Sequence, residues 1–219
     1  MKQFAVIGLG RFGASVATTL CGLGHQVLGI DESEARIQAM VDRLTHVVQA
    51  DATDEDALRS LGLRNFDAVI VAIGHDLEAS TLITLMLKDM GVREVVAKAS
   101  SDLHGKVLEK IGADRVVYPE RDMGVKLAHS LLSPRILDYI ELDPNYSIVE
   151  MAASGELVGK SLRELNLRAR LGINVLAFRR GEAVNVSPGG DDVVQEGDVL
   201  VVLGSNDAIG RLERLRGGE

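Results

Sequence analysis

Short apolar runs alternate with segments of helical periodicity from the start of the chain to residue 132. The apolar runs predict buried strands at 3–7, 25–30, 47–50, 67–73, 94–97 and 115–118. Segments with apolar residues at positions i, i+3, i+4 and i+7 predict helices at 14–21, 33–44, 53 onwards, 79–90, 103–111 and 121–132. Alternation of this kind predicts an α/β fold, a Rossmann-like doubly wound parallel sheet with helices on both faces.

The pattern changes after Ser133 and Pro134, where strands become short and turn-bounded. We predict strands at 147–152, 173–178, 183–186 and 198–203, with helices at 161–171 and 207–215. This mixture is typical of a small α+β C-terminal domain. We therefore predict an N-terminal domain over 1–133, a linker over 134–144 that ends with Asp143-Pro144, and a C-terminal domain over 145–219.

A glycine-rich turn connects the first predicted strand to the first predicted helix. It reads Gly8-Leu9-Gly10-Arg11-Phe12-Gly13, which is a G-x-G-x-x-G motif in the strand-to-helix setting that gives it meaning. Gly8 allows the tight turn, Gly10 lets a pyrophosphate approach the backbone, and Gly13 permits close packing of the helix on the strand. The unpaired amides and the helix dipole then favour an anion at this turn.

An acidic residue follows the second predicted strand, at the position that such motifs use for the ribose. Asp31 comes about 20 residues after the glycine turn, and a carboxylate there accepts hydrogen bonds from both ribose hydroxyls. Its charge also repels a 2′-phosphate, which argues against an NADP-type ligand. The alternative is a glycine turn with a surface aspartate that caps a helix.

Composition excludes several classes of function. The formal net charge is −8, aromatic residues make up 3% and there is no Trp, so the chain lacks the basic, aromatic surface typical of nucleic-acid binding. Cys21 is the only cysteine, which rules out an internal disulfide and fits a reducing compartment. We find no signal peptide and no apolar run of about 18 residues, and therefore expect a cytoplasmic chain that reaches a membrane only through a partner.

Several blocks of sequence agree with one family in order and spacing over nearly the whole chain. They are residues 4–13, Asp51-Ala52-Thr53-Asp54-Glu55, residues 69–74, residues 107–115 and residues 119–125. In these blocks the chain resembles the KtrA/TrkA family, the cytosolic RCK-domain (KTN) regulatory subunits of Ktr/Trk-type potassium uptake systems, and within it the KtrA branch. The resemblance implies a regulatory subunit rather than an enzyme.

The resemblance further implies that the N-terminal domain binds ATP or ADP, or in some members NAD(H). By resemblance, Arg11 contacts the terminal phosphates, Asp31 contacts the ribose, and Asp51 and Thr53 lie near the adenine. The resemblance also assigns Lys98 to a further phosphate, and Glu120 to a divalent or monovalent cation beside the phosphates across a dimer interface. The implied binding residues are Gly8, Gly10, Arg11, Phe12, Gly13, Asp31, Asp51, Ala52, Thr53, Ala72, Ile73, Gly74 and Lys98. The plainer interpretations are a surface arginine on Phe12, a solvated strand end at Lys98, and a helix-start acid at Glu120.

The resemblance also implies cyclic di-AMP binding by the C-terminal domain. The matching positions are Leu162, Arg168, Ala169, Ile173, Asn174 and Pro188. Arg168 supplies a positive donor for a phosphate. The alternative is that this segment is plain core, because Leu167, Leu171 and Val175 have the spacing of core positions.

Assembly and gating complete the implied function. The family forms homodimers and octameric rings, and the ring docks on a membrane potassium translocator of the KtrB/TrkH type; exchange of ATP and ADP changes the shape of the ring. Consistent with this, the apolar helices at 79–90 and 123–132 predict subunit interfaces. The main alternative is an NAD-dependent oxidoreductase. The five histidines, His25, His46, His75, His104 and His129, form no recognisable catalytic or metal-ligand pattern in the sequence.

Overall fold

A computed structural model describes residues 1–132 and 136–215 of the chain, without the side chains of residues 129, 130 and 132. The chain divides into two compact units between Arg121 and Asp122. This division falls inside a helix, whereas the sequence predicts the end of the first domain at residue 133. The predicted domain bounds, 1–133 and 145–219, stay predictions.

The first unit is built on a six-stranded parallel sheet. Its strands are β1 (Gln3–Ile7), β2 (Gln26–Asp31), β3 (His46–Gln49), β4 (Ala68–Val71), β5 (Val95–Lys98) and β6 (Arg115–Val117). They lie in the order β3-β2-β1-β4-β5-β6, and the order reverses direction at β1 and β4. The connecting helices are α1 (Arg11–Gly22), α2 (Glu34–Gln38), α3 (Glu55–Ser60), α4 (Leu77–Asp89) and α5 (Asp102–Lys110), followed by α6 (Pro119–Leu132), which crosses the division. The predicted doubly wound parallel sheet is confirmed.

Each face of this sheet has its own apolar core, because successive residues of a strand point to opposite faces. In β1, Ala5 and Ile7 pack with Ile83 of α4 and Leu108 of α5. Val6 points to the other face of the sheet. There it packs with residues from α1 and from the segment after β2: Ala17, Ile37, Met40 and Leu44. Strands buried on both faces explain the nearly continuous apolar runs of the sequence.

Two helix predictions in this unit need correction. The sequence predicts a helix over 33–44, but α2 ends at Gln38 and the chain continues in turns. Met40 and Leu44 still reach the core, so their helical spacing reports burial rather than an unbroken helix. The second correction is at α3, which the sequence predicts from residue 53 onwards. The helix begins at Glu55, and the side chain of Asp54 caps it by accepting hydrogen bonds from the amides of Asp56 and Ala57.

The second unit contains a five-stranded antiparallel sheet in the order β10-β9-β11-β8-β7. Its elements are β7 (Ile136–Asp143), β8 (Tyr146–Ala152), α7 (Leu162–Leu165), α8 (Leu167–Leu171), β9 (Asn174–Arg180), β10 (Ala183–Asn185), β11 (Val199–Ser205) and α9 (Asn206–Glu213). The small α+β domain is confirmed. Residues 134–144 are predicted as a linker, but residues 136–143 of that segment form β7, because Ile136 and Tyr139 enter the core and the strand pairs with β8.

The helix predicted over 161–171 is broken in two. Asn166 lies between α7 and α8 with a φ of 44°, in the left-handed region that asparagine tolerates better than most residues. A capping box on Ser161 and Glu164 begins α7, as the Ser-x-x-Glu pattern favours. Periodicity alone missed the break because Leu165 and Leu167 on either side both enter the core.

An ion pair with a buried carboxylate links the end of β9 to the residue before β11. Asp198 is fully buried, and both its carboxylate oxygens accept hydrogen bonds from Arg180, at 2.8 and 2.9 Å. The Gln195 amide donates to the same carboxylate at 2.8 Å. The hydrogen bonds from Arg180 are the main cause of a lowered Asp198 pKa. Burial opposes this shift, and the backbone amide of Gln195 and the charge of Arg180 add smaller contributions that lower the pKa.

We expect Asp198→Ala to lower the free energy of unfolding by about 2–3 kcal/mol, since charge-assisted hydrogen bonds to a buried carboxylate are lost. Because the pKa of Asp198 is lower in the folded protein than its ordinary value of 3.8, the ionised carboxylate stabilises the fold at pH values above 3.8. This stabilisation is lost as the pH falls through the pKa of the folded state. The difference from wild type in thermal denaturation should therefore be full at neutral pH and shrink in acid. Asp191→Ala is the control, because its pair with Arg163 is exposed. Equal losses for the two variants would contradict the assignment.

Candidate functional site

The glycine-rich turn between β1 and α1 is tightly closed. Gly8 has a φ of 91°, which favours glycine, and its amide donates to the Ile30 carbonyl of β2 at 2.8 Å. A Cβ at Gly13 would overlap the carbonyl oxygen of Gly8, so the close approach predicted for Gly13 is to the turn itself. By contrast, no described atom lies within 4 Å of the position that a Gly10 Cβ would take. The turn therefore leaves open space at the glycine that a phosphate would approach.

Asp31 ties this turn to the end of β2. Its Oδ2 accepts a hydrogen bond from the Leu9 amide at 2.7 Å, and its Oδ1 accepts one from the Ser33 amide at 2.9 Å. Arg36 of α2 donates to Oδ2 at 3.3 Å, and the Asp31 side chain is only 3% exposed. A carboxylate can accept about four hydrogen bonds, so one acceptor position remains for a ribose hydroxyl. The carboxylate thus shapes the glycine turn in addition to any contact with a ligand.

A cleft of about 810 Å³ opens at the carboxyl ends of the parallel strands, where ligands bind in folds of this type. The structure brings thirteen of the predicted site residues together in its wall: Gly8, Gly10, Arg11, Phe12, Asp31, Asp51, Ala52, Thr53, Ala72, Ile73, Gly74, Lys98 and Glu120. Gly13 instead lies against Gly8 beneath the turn. Glu120, predicted to act across a dimer interface, lines the cleft of its own chain.

Sequence reasoning missed several residues of the wall: Glu32, Arg36, Ala50, His75, Asp76 and Ser100. Three of them, Glu32, Ala50 and Ser100, come one or two residues after a strand, so the rule that ligands bind at strand ends would have found them. His75 and Asp76 lie farther along, in the segment between β4 and α4. Arg36 is different, because it reaches the cleft from the first turn of α2. The ion pair with Asp31 holds the Arg36 side chain at the cleft, and no local sequence pattern indicates this position.

Asp51 and Thr53 form a local turn in the wall after β3. The amide and the hydroxyl of Thr53 both donate to Asp51 Oδ1, at 2.9 and 2.6 Å. These bonds, the hydroxyl first, lower the Asp51 pKa. The turn therefore presents a fixed, ionised carboxylate at the part of the cleft where the resemblance implies the adenine.

Lys98 and Glu120 form an ion pair in the wall of the cleft. Lys98 Nζ lies 2.6 Å from Glu120 Oε1, and the lysine side chain is 14% exposed against 69% for the glutamate. The stem of Lys98 packs beside Gly74, and its Nζ lies 5.8 Å from the centre of the Phe12 ring. The hydrogen bond from Lys98 is the main cause of a lowered Glu120 pKa, with smaller contributions from the charges of Lys98 and Arg11. By resemblance, Lys98 is assigned to a phosphate and Glu120 to a cation. In the structure these two residues form an ion pair with each other.

Among the described residues, no group of three or more His, Cys, Asp and Glu side chains is arranged to hold a metal ion. Glu120 is the cleft carboxylate that the resemblance assigns to a cation beside the phosphates. A cation there would need oxygen ligands from the phosphates as well as from Glu120.

The second unit contains the residues that the resemblance implies for cyclic di-AMP. Arg168 and Ala169 are exposed on α8, and Asn174 is exposed at the start of β9. The loop after Pro188 lies against α7, because the amides of Leu162 and Arg163 donate to the carbonyls of Asp192 and Gly190. Ile173 is fully buried in the core of the unit, so its side chain faces other core residues. Its role in ligand binding stays a prediction.

Comparisons with known proteins identify the family. The TrkA-N domain matches residues 4–119, and the TrkA-C domain matches residues 146–217. The chain is 49% identical over 212 residues to the Ktr system potassium uptake protein A of Bacillus subtilis (strain 168), covering 97% of this chain and 96% of the relative. It is 47% identical over 213 residues to the Ktr system potassium uptake protein C of the same organism, with the same coverage. The chain belongs to the KtrA/TrkA family of potassium uptake regulatory proteins.

The solved structure of the GsuK channel bound to NAD has the same fold. The TM-score is 0.68 at 20% identity, and the similarity covers 100% of this chain and 40% of the GsuK chain. This chain thus spans less than half the length of the GsuK chains that it matches. The match confirms the fold alone. In the two described ranges, no helix has both the length and the apolar character that crossing a membrane requires.

We expect Asp31→Ala to weaken the binding of ATP or ADP by about 1.5–3 kcal/mol, because a charge-assisted bond to the ribose is lost and the Leu9 amide loses its acceptor. Isothermal titration calorimetry measures this change. Arg36→Ala is the matched control: it removes the ion pair but leaves the carboxylate and its two amide bonds. Unchanged nucleotide affinity in Asp31→Ala would refute the assignment.

Proposed function

We propose that this chain is the nucleotide-binding regulatory subunit of a potassium uptake system, and that exchange of ATP and ADP in the cleft controls a membrane translocator. The observation that carries the proposal is the set of charges beside the glycine turn. Arg11, Lys98 and Glu120 line the cleft together with Gly10, where a phosphate chain would lie. The family relationship to the Ktr proteins of Bacillus subtilis supports the potassium system.

The charges favour a nucleotide with a terminal phosphate chain. Backbone amides and the dipole of α1 are sufficient for a pyrophosphate. Two further cations, Arg11 and Lys98, suit a more negative triphosphate. NAD(H) is the second ligand of this class, since the GsuK channel was solved with NAD in the same fold. Asp31 would bind the ribose of either ligand in the same way.

A cation beside the phosphates is part of the proposal. A carboxylate close to a polyphosphate is repelled unless a cation lies between them. Glu120 is paired with Lys98, so binding of ATP and a cation would exchange this pair for two new ones. Lys98 would then contact phosphate, and Glu120 would contact the cation.

Gating requires ATP and ADP to favour different conformations. A ligand with equal affinity for two conformations shifts nothing, so the γ-phosphate must make contacts that ADP lacks. Arg11 and the Glu120-bound cation are the contacts that differ most between the two nucleotides. On this view the chain is not an enzyme, and incubation with NAD(H) and candidate substrates should give no turnover. The relatives lend the oxidoreductase alternative no support.

For the second unit we propose binding of cyclic di-AMP, which would inhibit uptake. The support is the carry-over of Leu162, Arg168, Ala169, Asn174 and Pro188, of which Arg168 offers an exposed guanidinium for a phosphate. Titration of cyclic di-AMP with wild type and Arg168→Ala tests this part of the proposal.

We also propose assembly into homodimers and an octameric ring, docked on the inner face of the cell membrane through the translocator. Its support is apolar surface on two helices. Leu82 and Leu85 of α4 are exposed, and so are four apolar residues of α6: Met123, Val125, Leu127 and Leu131. On α6, Met123, Leu127 and Leu131 are spaced four residues apart and so share one face of the helix. Exposed apolar residues that share a face mark interaction sites.

We expect light scattering in dilute solution to give the mass of a dimer or an octamer. Leu82→Glu and Met123→Glu each place a charge on these surfaces and should shift the mass toward the monomer. Leu103→Glu is a control that should keep the wild-type mass, because Leu103 is also exposed but lies on α5, outside both helices. A stable monomer across micromolar concentrations of wild type would contradict the proposed assembly.

The nucleotide proposal is tested by titrating ATP and ADP with and without a divalent cation. Arg11→Ala should weaken ATP more than ADP, since one charge-assisted phosphate contact contributes about 1.5–3 kcal/mol. Glu120→Gln should leave cation-free ADP binding nearly intact and remove most of the extra ATP affinity that magnesium or calcium provides, because an amide is a poorer ligand for a hard cation. An ATP-to-ADP affinity ratio that is the same in wild type and both variants would refute the proposed sensing of the γ-phosphate.

A further inference from the structure

Gly105 lies in the interior of α5, where glycine destabilises a helix by about 1 kcal/mol relative to alanine. The structure gives a reason for this glycine. A Cβ at position 105 would overlap the hydroxyl oxygen of Tyr118 and lie 2.6 Å from its Cζ. The Tyr118 ring therefore packs against the backbone of α5 in a notch that only glycine provides.

A second contact attaches the same segment to α5. The guanidinium carbon of Arg121 lies 3.8 Å from the centre of the Tyr118 ring, a distance typical of a cation–π contact. Arg121 Nη1 also lies 3.4 Å from the carboxylate of Asp102, in the first turn of α5 and one turn before Gly105. Tyr118 and Arg121 thus contact one stretch of α5 from either side of Pro119 and Glu120.

Glu120 lies between these two attachments. Its carboxylate accepts a hydrogen bond from Lys98 at the end of β5, at 2.6 Å. Pro119 before it has a restricted φ, which removes one degree of freedom from the segment. The backbone of residues 118–121 is therefore attached to α5 at two points and to β5 at a third. The third attachment is made by the Glu120 carboxylate, which binds a cation in the proposed function.

We propose that the Gly105 notch, with Tyr118 seated in it, is a positioning device that holds the Glu120 carboxylate at the cleft for the cation that accompanies a nucleotide triphosphate. The inference rests on the proposed function of the cleft and deepens it. Tyr118 and Gly105 are positioning residues, because they act through Glu120 and do not line the cleft wall described above. A glycine in a helix interior lowers the stability of the helix, and the contact with Tyr118 explains why glycine stands at this position.

The test is Gly105→Ala, which introduces a methyl group where the Tyr118 ring lies. The matched control is Gly210→Ala in α9, also a helical glycine, where the nearest atom to a new Cβ is the flexible end of Arg214 at 3.9 Å. ATP binding is measured by calorimetry with and without magnesium, and thermal unfolding of each ligand-free protein is recorded alongside.

We expect Gly105→Ala to reduce the gain in ATP affinity from magnesium by about tenfold, since a displaced carboxylate is a poor ligand for a cation of strict geometry. Magnesium-free ATP and ADP affinity should change by less than about twofold, because backbone amides and Arg11 bind the phosphates without Glu120. Gly210→Ala should change neither quantity. A full magnesium gain in Gly105→Ala would overturn the proposal.

Tyr118→Leu provides a second route, since leucine lacks the hydroxyl and ring edge that fill the notch. If the two residues act together, Tyr118→Leu should reduce the magnesium gain as Gly105→Ala does, and the double variant should show no added loss. Additive losses would mean that the residues act independently, which also overturns the proposal.

A ligand-free measurement separates the failure of this inference from failure of the proposed function. The contact between Lys98 Nζ and Glu120 Oε1 can be followed in the ligand-free protein through the side-chain NMR signals of the two residues. These signals should shift in Gly105→Ala and stay at their wild-type positions in Gly210→Ala. Absence of nucleotide binding by wild type would refute the proposed function alone, whereas unchanged Glu120 and Lys98 signals in Gly105→Ala would refute the positioning device.

Discussion

The geometry of the cleft depends on one hydrogen bond, from the Leu9 amide to the Asp31 carboxylate. It joins the glycine turn of β1 to the end of β2, which are the two halves of a nucleotide site. The carboxylate is almost fully buried, so the bond forms away from competing water. The turn is consequently shaped before any ligand arrives, and the open space at Gly10 is a property of the protein itself. A preorganised site loses less free energy on ordering when a ligand binds, so more of the interaction free energy contributes to affinity.

The parts of this site that sequence predicted are those that local patterns encode. Gly8, Gly10 and Asp31 could be placed because a strand, a glycine turn and a strand-end acid have fixed spacing along the chain. Lys98 and Glu120 were assigned roles only through the resemblance to a family, and their ion pair was missed because it joins residues far apart in sequence. The notch at Gly105 is invisible for the same reason. A helical glycine carries no sign of the tyrosine that fills it.

The errors in the fold have a different cause. Periodicity reports which side chains are buried, and it was right about Ile37, Met40 and Leu44 although α2 ends before two of them. It was also right about Leu165 and Leu167, which flank the break at Asn166. The backbone changes course at these places while the pattern of burial continues. The segment 136–143 shows the converse, since weak patterning and a nearby proline concealed a strand that pairing with β8 stabilises.

The first turn of α6 has a mechanical consequence. This helix has 14 residues and carries Glu120 near its beginning, and the chain divides into its two compact units one residue later. Backbone hydrogen bonds join each turn of an α-helix to the next, so the chain passes from one unit to the other within a helix and not within a loose loop. In our proposal the Glu120 carboxylate exchanges one ion pair for another, and it stands in the first turn of this connecting helix. A force on that carboxylate therefore acts directly on the segment of chain that joins the two units.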